Sequence, residues 1–316
     1  MNKKKVFITG ASGCIGHYVV DRFLTQDTYE IHLLVRDPKR LRFDIRHPSV
    51  VIHQGDISRI EEHRDVISTM TYIIHIATDW SDSDYAHHLN VVKTHQLFSC
   101  CNKSLCQKIL YFSTASILGK NNLPISEAGE IGTGYIRSKY WAYMTLKDSA
   151  MADRIITLFP TLVIGGDATH PYSHISQGLI PNLHYAKWIR FFYMDARFHF
   201  LHAYDIASVT HYLLEHDSKE KNFVLGARVL YGKTAIQEIC RAFGIPVYFQ
   251  LPITEKMVFF LAKLFRIKLM PWDRFCLTNP HFEYKTVNPS SFGLSTAYPD
   301  FNSVLEDIKR QHGILK

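Results

Sequence analysis

Cysteine is sparse in this sequence: six residues, at 14, 100, 101, 106, 240 and 276, none of them spaced as Cys-x-x-Cys. That pattern argues against a disulfide-stapled secreted module and the usual zinc frames, and leads us to expect free thiols and a cytoplasmic location. The N-terminal lysine cluster, Lys3 to Lys5, runs directly into an apolar strand rather than into the apolar core of a secretion signal. No internal repeat and no low-complexity linker interrupts the chain, which disfavours solenoids and disordered tethers. Histidine is plentiful, eighteen residues, but dispersed. Neither His87-His88 nor His199 with His202 has metal-ligand spacing, so structural or surface roles are expected, and no metal. The net charge is +7 with an isoelectric point near 9.0. Its lysines and arginines are scattered and form no nucleic-acid module, so we read a solvated basic surface, with part of the excess serving an anionic ligand. With 47% hydrophobic residues over 316 positions, the chain can bury a full core as one α/β domain, with or without a smaller lobe.

What is present begins at Lys5. The run Lys-Val-Phe-Ile-Thr-Gly-Ala-Ser-Gly-Cys-Ile-Gly, residues 5 to 16, is a short strand entering glycines at 10, 13 and 16, followed by an amphipathic helix. Gly10 permits a tight turn, Gly13 lets backbone approach a pyrophosphate, and Gly16 lets the helix lie close to the strand. The helix N-terminus then presents free N–H groups and a positive dipole end to phosphates. About 20 residues further on, the second strand ends in Val35-Arg36-Asp37-Pro38-Lys39-Arg40, where this arrangement meets an adenosine ribose. Arg36 can fork onto a 2′-phosphate, with Lys39, Arg40 or Arg42 adding positive field, whereas an acidic tip would select a free 2′-hydroxyl. Asp37-Pro38 is read as the turn that closes the strand, so NADP is expected rather than NAD.

A third constellation follows a strand ending in hydroxyls, Lys108 to Ser116, and a helix opening Gly134-Tyr135-Ile136-Arg137-Ser138-Lys139. Tyr135 and Lys139, four apart, share one helix face. An ammonium and a nicotinamide cation beside a phenol favour the phenolate, so Lys139 with the bound cofactor is expected to pull the Tyr135 pKa below its ordinary value of about 10 and make it a general acid or base.

Taken in this order, these residues resemble the extended (atypical) short-chain dehydrogenases/reductases of the NAD-dependent epimerase/dehydratase superfamily. Thr9 to Gly16 and Val35 to Pro38 are most similar to the dihydroflavonol-reductase-like branch, which uses NADPH. The resemblance covers nearly the whole chain. It implies catalytic roles for Thr114, Tyr135 and Lys139, with Ser113 and Ser116 as secondary substrate contacts. For the cofactor it implies contacts from Gly10, Ser12, Gly13, Cys14, Ile15 and Gly16, from Arg36, from Asp56 and Ile57 in Gly55-Asp56-Ile57, and from Ala77 at the end of Ile74-His75-Ile76-Ala77. Tyr135, Lys139 and Pro160 complete that set. Asn90 to Thr94 resembles the family's Asn-Val-x-Gly-Thr helix, with Lys93 in place of glycine. Phe200 to Ala207 matches a later landmark, in which Asp205 suits a helix N-cap. Dimers through the helices corresponding to 88–103 and 134–152 are usual in the family.

Departures from the family narrow the expected substrate. Where sugar-nucleotide epimerases place Arg and Asn around the proline, this chain has Phe159 and Leu162; where sugar dehydratases carry Asp-Glu after the catalytic Thr, it has Ala115 and Ser116. We therefore expect simple hydride transfer between NADPH and a carbonyl or alcohol on a small, largely apolar or aromatic substrate. A nucleotide-sugar epimerase or reductase and a non-enzymatic NADP sensor of the same fold are the alternatives.

The fold class expected is α/β, a Rossmann-type doubly wound parallel sheet, with strands near 5–9, 31–35, 50–54, 72–76, 108–113 and 154–159 and helices near 15–26, 88–103 and 134–152. Residues 1–165 form the NADP-binding domain and 166–316 mainly a substrate lobe, with about 204–230 returning to the sheet. In that lobe Trp188 to Met194 suggests a strand. Residues 255 to 270 suggest a helix with Val258, Leu261, Phe265 and Leu269 on one stripe, expected to pack in the core, with a lid over a hydrophobic substrate as the second reading and a membrane-surface helix as the third. Lys263, Arg266 and Lys268 break the run, which is too short to span a bilayer, and membrane association is not expected.

Overall fold

Strands form where short apolar runs meet turn residues. The protein is represented by a computed structural model that describes residues 3–179, 181–182 and 185–311. The first six strands are β1 (Lys4–Thr9), β2 (Tyr29–Val35), β3 (Val50–Gln54), β4 (Tyr72–His75), β5 (Lys108–Phe112) and β6 (Ile155–Pro160). Two later strands, β7 (Asn222–Leu225) and β8 (Thr286–Val287), join them. The described residues give an eight-stranded sheet of order β8-β7-β6-β5-β4-β1-β2-β3, parallel throughout. Thus β8, as well as the 204–230 segment, returns to the sheet.

A parallel sheet is covered on both faces, and the alternation of side chains along each strand divides the core in two. Val6 and Ile8 of β1 face one layer with Val19 and Phe23, while Phe7 faces the other with Ile60, Ile67 and Phe98. Helix α1 (Cys14–Leu24) packs on α3 (Ala203–Glu215), and α2 (Gly134–Leu146) lies against the helical segment Asp84 to Ser99. A third cluster, including Ile117, Ile136, Phe159 and Trp272, supports the loop after β5.

Several expectations need correction. The helix expected over 88–103 runs from Asp84 to Ser99 and contains a wide π turn at His88–Lys93. Lys93 is buried there, its ammonium on the Glu61 carboxylate at 3.0 Å, which explains how a lysine is held where glycine was expected. The helix expected over 134–152 ends at Leu146. Asp205 is not the cap of α3: His202 is, its Nδ1 accepting the Tyr204 N–H at 3.2 Å. The buried Asp205 carboxylate instead accepts the backbone N–H groups of Ala297 (3.0 Å) and Tyr298 (3.1 Å), tying the C-terminal segment to the sheet layer. The segment 188–194 does contain a strand, the two-residue Phe192–Tyr193, preceded by a helical turn, Ala186–Ile189.

The largest departure is at 255–270. The helix ends at Leu264, Arg266 takes a left-handed conformation (φ +54°), and a second helix, Pro271–Thr278, follows. Only Ala262 is buried along the first helix, while Leu261 and Phe265 of the expected core stripe are exposed. Amphipathic spacing gives a stripe but not its partner, and here Val258 and Leu269 are only half-buried while the rest of the stripe faces outward.

Candidate active site

The sheet order reverses between β1 and β4: successive crossovers build outward from β1 to β3, then from β4 in the other direction. At such a switch point the two adjacent loops leave in opposite directions and open a crevice at the carboxyl ends of the strands. A cavity of about 590 Å³ lies there, and the residues named above for the cofactor or for catalysis line it, except Lys39 and Arg42 of the basic loop. Its volume is in the range of ligand sites. By strand spacing, its β2 and β5 sides are roughly 14 Å apart.

The three glycines do different work. Gly10 has φ +81°, and a Cβ there would stand 2.6 Å from the Ala77 nitrogen; a Cβ on Gly16 would collide with the Gly10 carbonyl oxygen. Both are dictated by the protein itself. At Gly13, a Cβ would meet nothing nearer than the Gly10 oxygen at 3.5 Å, an ordinary contact. The fold does not require glycine there, so what its missing side chain leaves open is the cavity. Gly13 caps α1 without a side-chain hydrogen bond, and the first-turn N–H groups of α1 therefore face the space lined by Ser12, Gly13, Cys14 and Ile15. His17, buried beneath, joins its Nδ1 to the Gly13 carbonyl (3.0 Å) and accepts the Arg42 N–H on Nε2 (3.2 Å), an arrangement that fixes the neutral tautomer with hydrogen on Nδ1. Burial pushes the Cys14 thiol up to about 12, which keeps it protonated.

At the β2 end Arg36 and Arg40 line the cavity with Asp56 and Ile57. Asp37 is turned away: its carboxylate accepts the Lys39 N–H at 3.0 Å and caps the Pro38–Arg40 turn, the role read from Asp37-Pro38. Asp56 likewise caps the next turn through the Ser58 N–H (2.8 Å), with the Arg36 Nε 3.8 Å from its other oxygen. Arg42 does not add to the field here. Its guanidinium donates to the carbonyls of Asp167 and His170, both at 3.3 Å.

The β5 end is built from buried side chains. Thr114 accepts the Ser116 N–H at 3.2 Å and opens a turn that Tyr284 clamps, its hydroxyl donating to the Ala115 carbonyl at 3.0 Å. Helix α2 starts at the cap Thr133, reinforced by Asp82, which accepts the Gly134 N–H and pairs with Arg137 at 3.4 Å. Tyr135 and Lys139 are thereby set deep in the cavity wall, 9% and 2% exposed. The Lys139 Nζ donates to the Phe112 carbonyl at 2.8 Å and lies 5.0 Å from the Tyr111 ring. Burial pulls its pKa down to about 7. From the protein's own groups alone the Tyr135 pKa is raised: desolvation pushes the phenol up, and the Thr114 hydroxyl beside it only partly opposes this. With Lys139 committed to a carbonyl and its own charged form weakened by burial, the solvation penalty on a phenolate wins.

Sequence reasoning missed the wall opposite. The Trp80 ring stacks on Tyr135 with centroids 3.9 Å apart and planes 20° off parallel, and His174 lies 4.7 Å from Trp80. Trp80 is held by its neighbours. The buried Asn90 accepts from Thr78 (3.0 Å) and the Asp79 N–H (2.8 Å) and donates to the Asp79 carbonyl and Ser138 Oγ, both at 2.9 Å. The signal available was position, since residues just beyond β4 must line a switch-point crevice. His75, below, bridges Thr9 (2.7 Å) and Thr94 (2.9 Å), and its burial pulls the pKa to about 3, so it is a neutral structural link. Pro160 and Leu162 line the cavity, but Phe159 is buried against Tyr143, 5.1 Å between centroids, so its identity says nothing about a ligand.

Solved structures share this architecture. The chain is similar over its full length to the terminal R domain from the myxalamid PKS-NRPS biosynthetic pathway, at 16% identity, covering 92% of that chain, with a TM-score of 0.73. It resembles dTDP-glucose 4,6-dehydratase from Bacillus anthracis str. Ames, solved with NAD, at 17% identity over 99% of this chain and 97% of that one (TM-score 0.66). It also resembles UDP-N-acetylglucosamine 4-epimerase from Methanobrevibacter ruminantium M1, solved with UDP-N-acetylmuramic acid, at 16% identity over 100% of both chains (TM-score 0.68). At these identities the likeness is one of fold. The family is carried by sequence: a model of the NAD dependent epimerase/dehydratase family matches residues 6–226. Since that stretch runs from β1 through β7 and takes in the glycine turn, the Arg36 end and the Tyr135 wall, the chain belongs to the NAD dependent epimerase/dehydratase family.

Proposed function

We propose that this protein is an NADPH-dependent oxidoreductase that interconverts a carbonyl and an alcohol on a small, largely apolar or aromatic substrate. The observation that carries this reading is the composition of the β5 end: Thr114 and Tyr135 meet Trp80, His174 and Leu162, while the only cations among the described lining residues are Arg36, Arg40 and Lys139. Arg36 and Arg40 belong to the ribose end, and Lys139 is buried under Phe112. A diphosphate on the substrate would find no cationic partner beside Tyr135, whereas apolar skeletons gain roughly 25 cal/mol per Å² of buried surface.

The residues fit a nicotinamide dinucleotide. The open Cβ position at Gly13 and the uncapped first turn of α1 suit its pyrophosphate, and Arg36 with Arg40, beside an Asp37 already committed to its own turn, suits a 2′-phosphate. When bound, the nicotinamide supplies or accepts a hydride. Tyr135 holds the matching proton at its phenol oxygen. A phenol whose pKa is raised by burial keeps that proton at neutral pH, which suits donation to a carbonyl oxygen as negative charge develops there. Thr114 donates a second hydrogen bond to the same oxygen, and Lys139 orients the nicotinamide ribose. The ring of Trp80, stacked on Tyr135, offers an apolar face to the substrate.

One observation favours a second reading, a nucleotide-sugar epimerase or reductase: solved structures of the same fold carry UDP-linked ligands. A panel of both substrate classes separates them, with reduction followed by NADPH absorbance and the redox-neutral epimerisation of nucleotide sugars followed by chromatography of the products. Turnover of apolar ketones or aldehydes is expected, and turnover of nucleotide sugars alone would transfer the protein to the second reading.

A further inference from the structure

We propose that the face formed by residues 188–193 and 248–270 docks on an anionic membrane surface. Large apolar side chains are concentrated there: Tyr248 is 80% exposed, Trp188 74%, Phe265 68% and Phe260 66%. The two strand segments are paired, and the helix follows directly along the chain. Leu251–Pro252 pairs in parallel with Phe192–Tyr193, the Phe191 and Phe249 rings are 5.2 Å apart, and the helix Glu255–Leu264 begins three residues after the strand. A soluble surface rarely leaves so many aromatic residues together without a partner.

Charge selects the partner. From Tyr248 to Arg274 the sequence holds five cations, Lys256, Lys263, Arg266, Lys268 and Arg274, against Glu255 and Asp273, and Lys187 and Arg190 flank the other strand. Helices that rest on lipid combine exposed aromatic and aliphatic side chains with lysine and arginine that reach headgroup phosphates. A twofold contact with a second copy would bring together two faces carrying the same excess of cations, which disfavours it. A lid over the cavity is disfavoured too, because no residue of this face lines the cavity among the described residues. The depth is that of a surface association: no helix among the described residues is long and apolar enough to cross a membrane. This assignment stands independently of the proposed reaction.

The test is co-sedimentation of the full chain with vesicles of equal parts phosphatidylcholine and phosphatidylglycerol, and with vesicles of phosphatidylcholine alone. Binding to the anionic vesicles that is reversed by high salt is expected. Lys263→Gln, Arg266→Gln and Lys268→Gln together should lower the partition coefficient roughly a hundredfold, and the pair Phe260→Ser and Phe265→Ser should lower it as well. All five positions are exposed, so thermal melts and NADPH binding should match those of the parent and report intact folding. No binding to anionic vesicles, or equal binding to both kinds, would overturn the proposal. A concentration-dependent dimer in sedimentation velocity, dissolved by the Phe260→Ser and Phe265→Ser pair, would assign the face to a second copy instead.

Discussion

The two ends of the cavity are made from different materials. At the β2 and glycine-loop end the working groups are backbone: N–H donors of the α1 first turn, a left-handed Gly10, a Gly16 that admits the neighbouring carbonyl, and exposed arginines whose positions are set by capped turns. At the β5 end they are individual side chains, buried and held by a dense network from Asn90, Asp82, Tyr284 and Thr133. Backbone geometry is shared by any sequence that satisfies the turn, so the first end confers a ligand class. Side-chain identity confers chemistry and substrate, so the second end is where members of one fold diverge.

The sharpest way to break the comparison is within the glycine loop. Gly16→Ala drives a methyl group into the Gly10 carbonyl, and the loop must move or the protein must lose about 1 to 3 kcal/mol of stability. Gly13→Ala should leave the thermal melt within about 0.5 kcal/mol of the parent while weakening NADPH binding at least tenfold, because its methyl enters only the cavity. Calorimetry on both variants checks this, and equal melts for the two would remove the distinction. Next, Tyr135→Phe deletes one hydroxyl with the Trp80 stack retained, and should cut turnover on the order of a hundredfold with NADPH affinity nearly unchanged. Near-normal turnover would refute the proton-donor role.

Arg36→Ala should cost about 1.5 to 3 kcal/mol in NADPH binding and much less in NADH binding, since only the former offers a 2′-phosphate. Matching losses in calorimetric titrations would return the cofactor preference to NAD. Trp80→Ala should act through substrate, raising KM by about tenfold, the scale of an aromatic contact, with cofactor affinity held. The smallest effect concerns pH. Burial pulls the pKa of His170 down, but hydrogen bonds to Asp21 and Asp167, both 2.8 Å, outweigh it and leave the value raised. The stabilisation is therefore complete below the unfolded value of about 6.5 and is lost as pH rises through the folded value. In melts of the parent against His170→Asn, the difference should be largest at mildly acid pH, shrink toward alkaline pH, and stay below about 1 kcal/mol.

Legibility in the sequence follows the same division. The strands of the first half were readable to within two residues, because a parallel strand is a short apolar run bounded by turns, and all but the edge strand β3 are largely buried. The glycine turn, Arg36, Thr114, Tyr135 and Lys139 were readable because their spacing is local. Trp80 was not, since its stack on Tyr135 joins residues 55 positions apart through the path of one loop. The protein's own effect on Tyr135 was not legible for a related reason: proximity of Lys139 is encoded by helix spacing, but the carbonyl of Phe112 that engages it is set by packing. Asp205 had the composition of a cap and a different task, and the 255–264 helix had a core-like stripe with no core against it. In each case local pattern named a capacity and tertiary contact chose its use.

The strand order also constrains assembly. β1 is the first strand made yet lies between β2 and β4, and β8, only two residues long, is the last to arrive and covers the outer edge of β7. Crossover connections make every pairing non-local, which slows folding. Until Thr286 and Val287 have been synthesised and docked, β7 presents an unpaired edge next to the most apolar part of the sheet. A ribosome-bound or truncated chain ending before that point therefore carries a template for edge-to-edge aggregation.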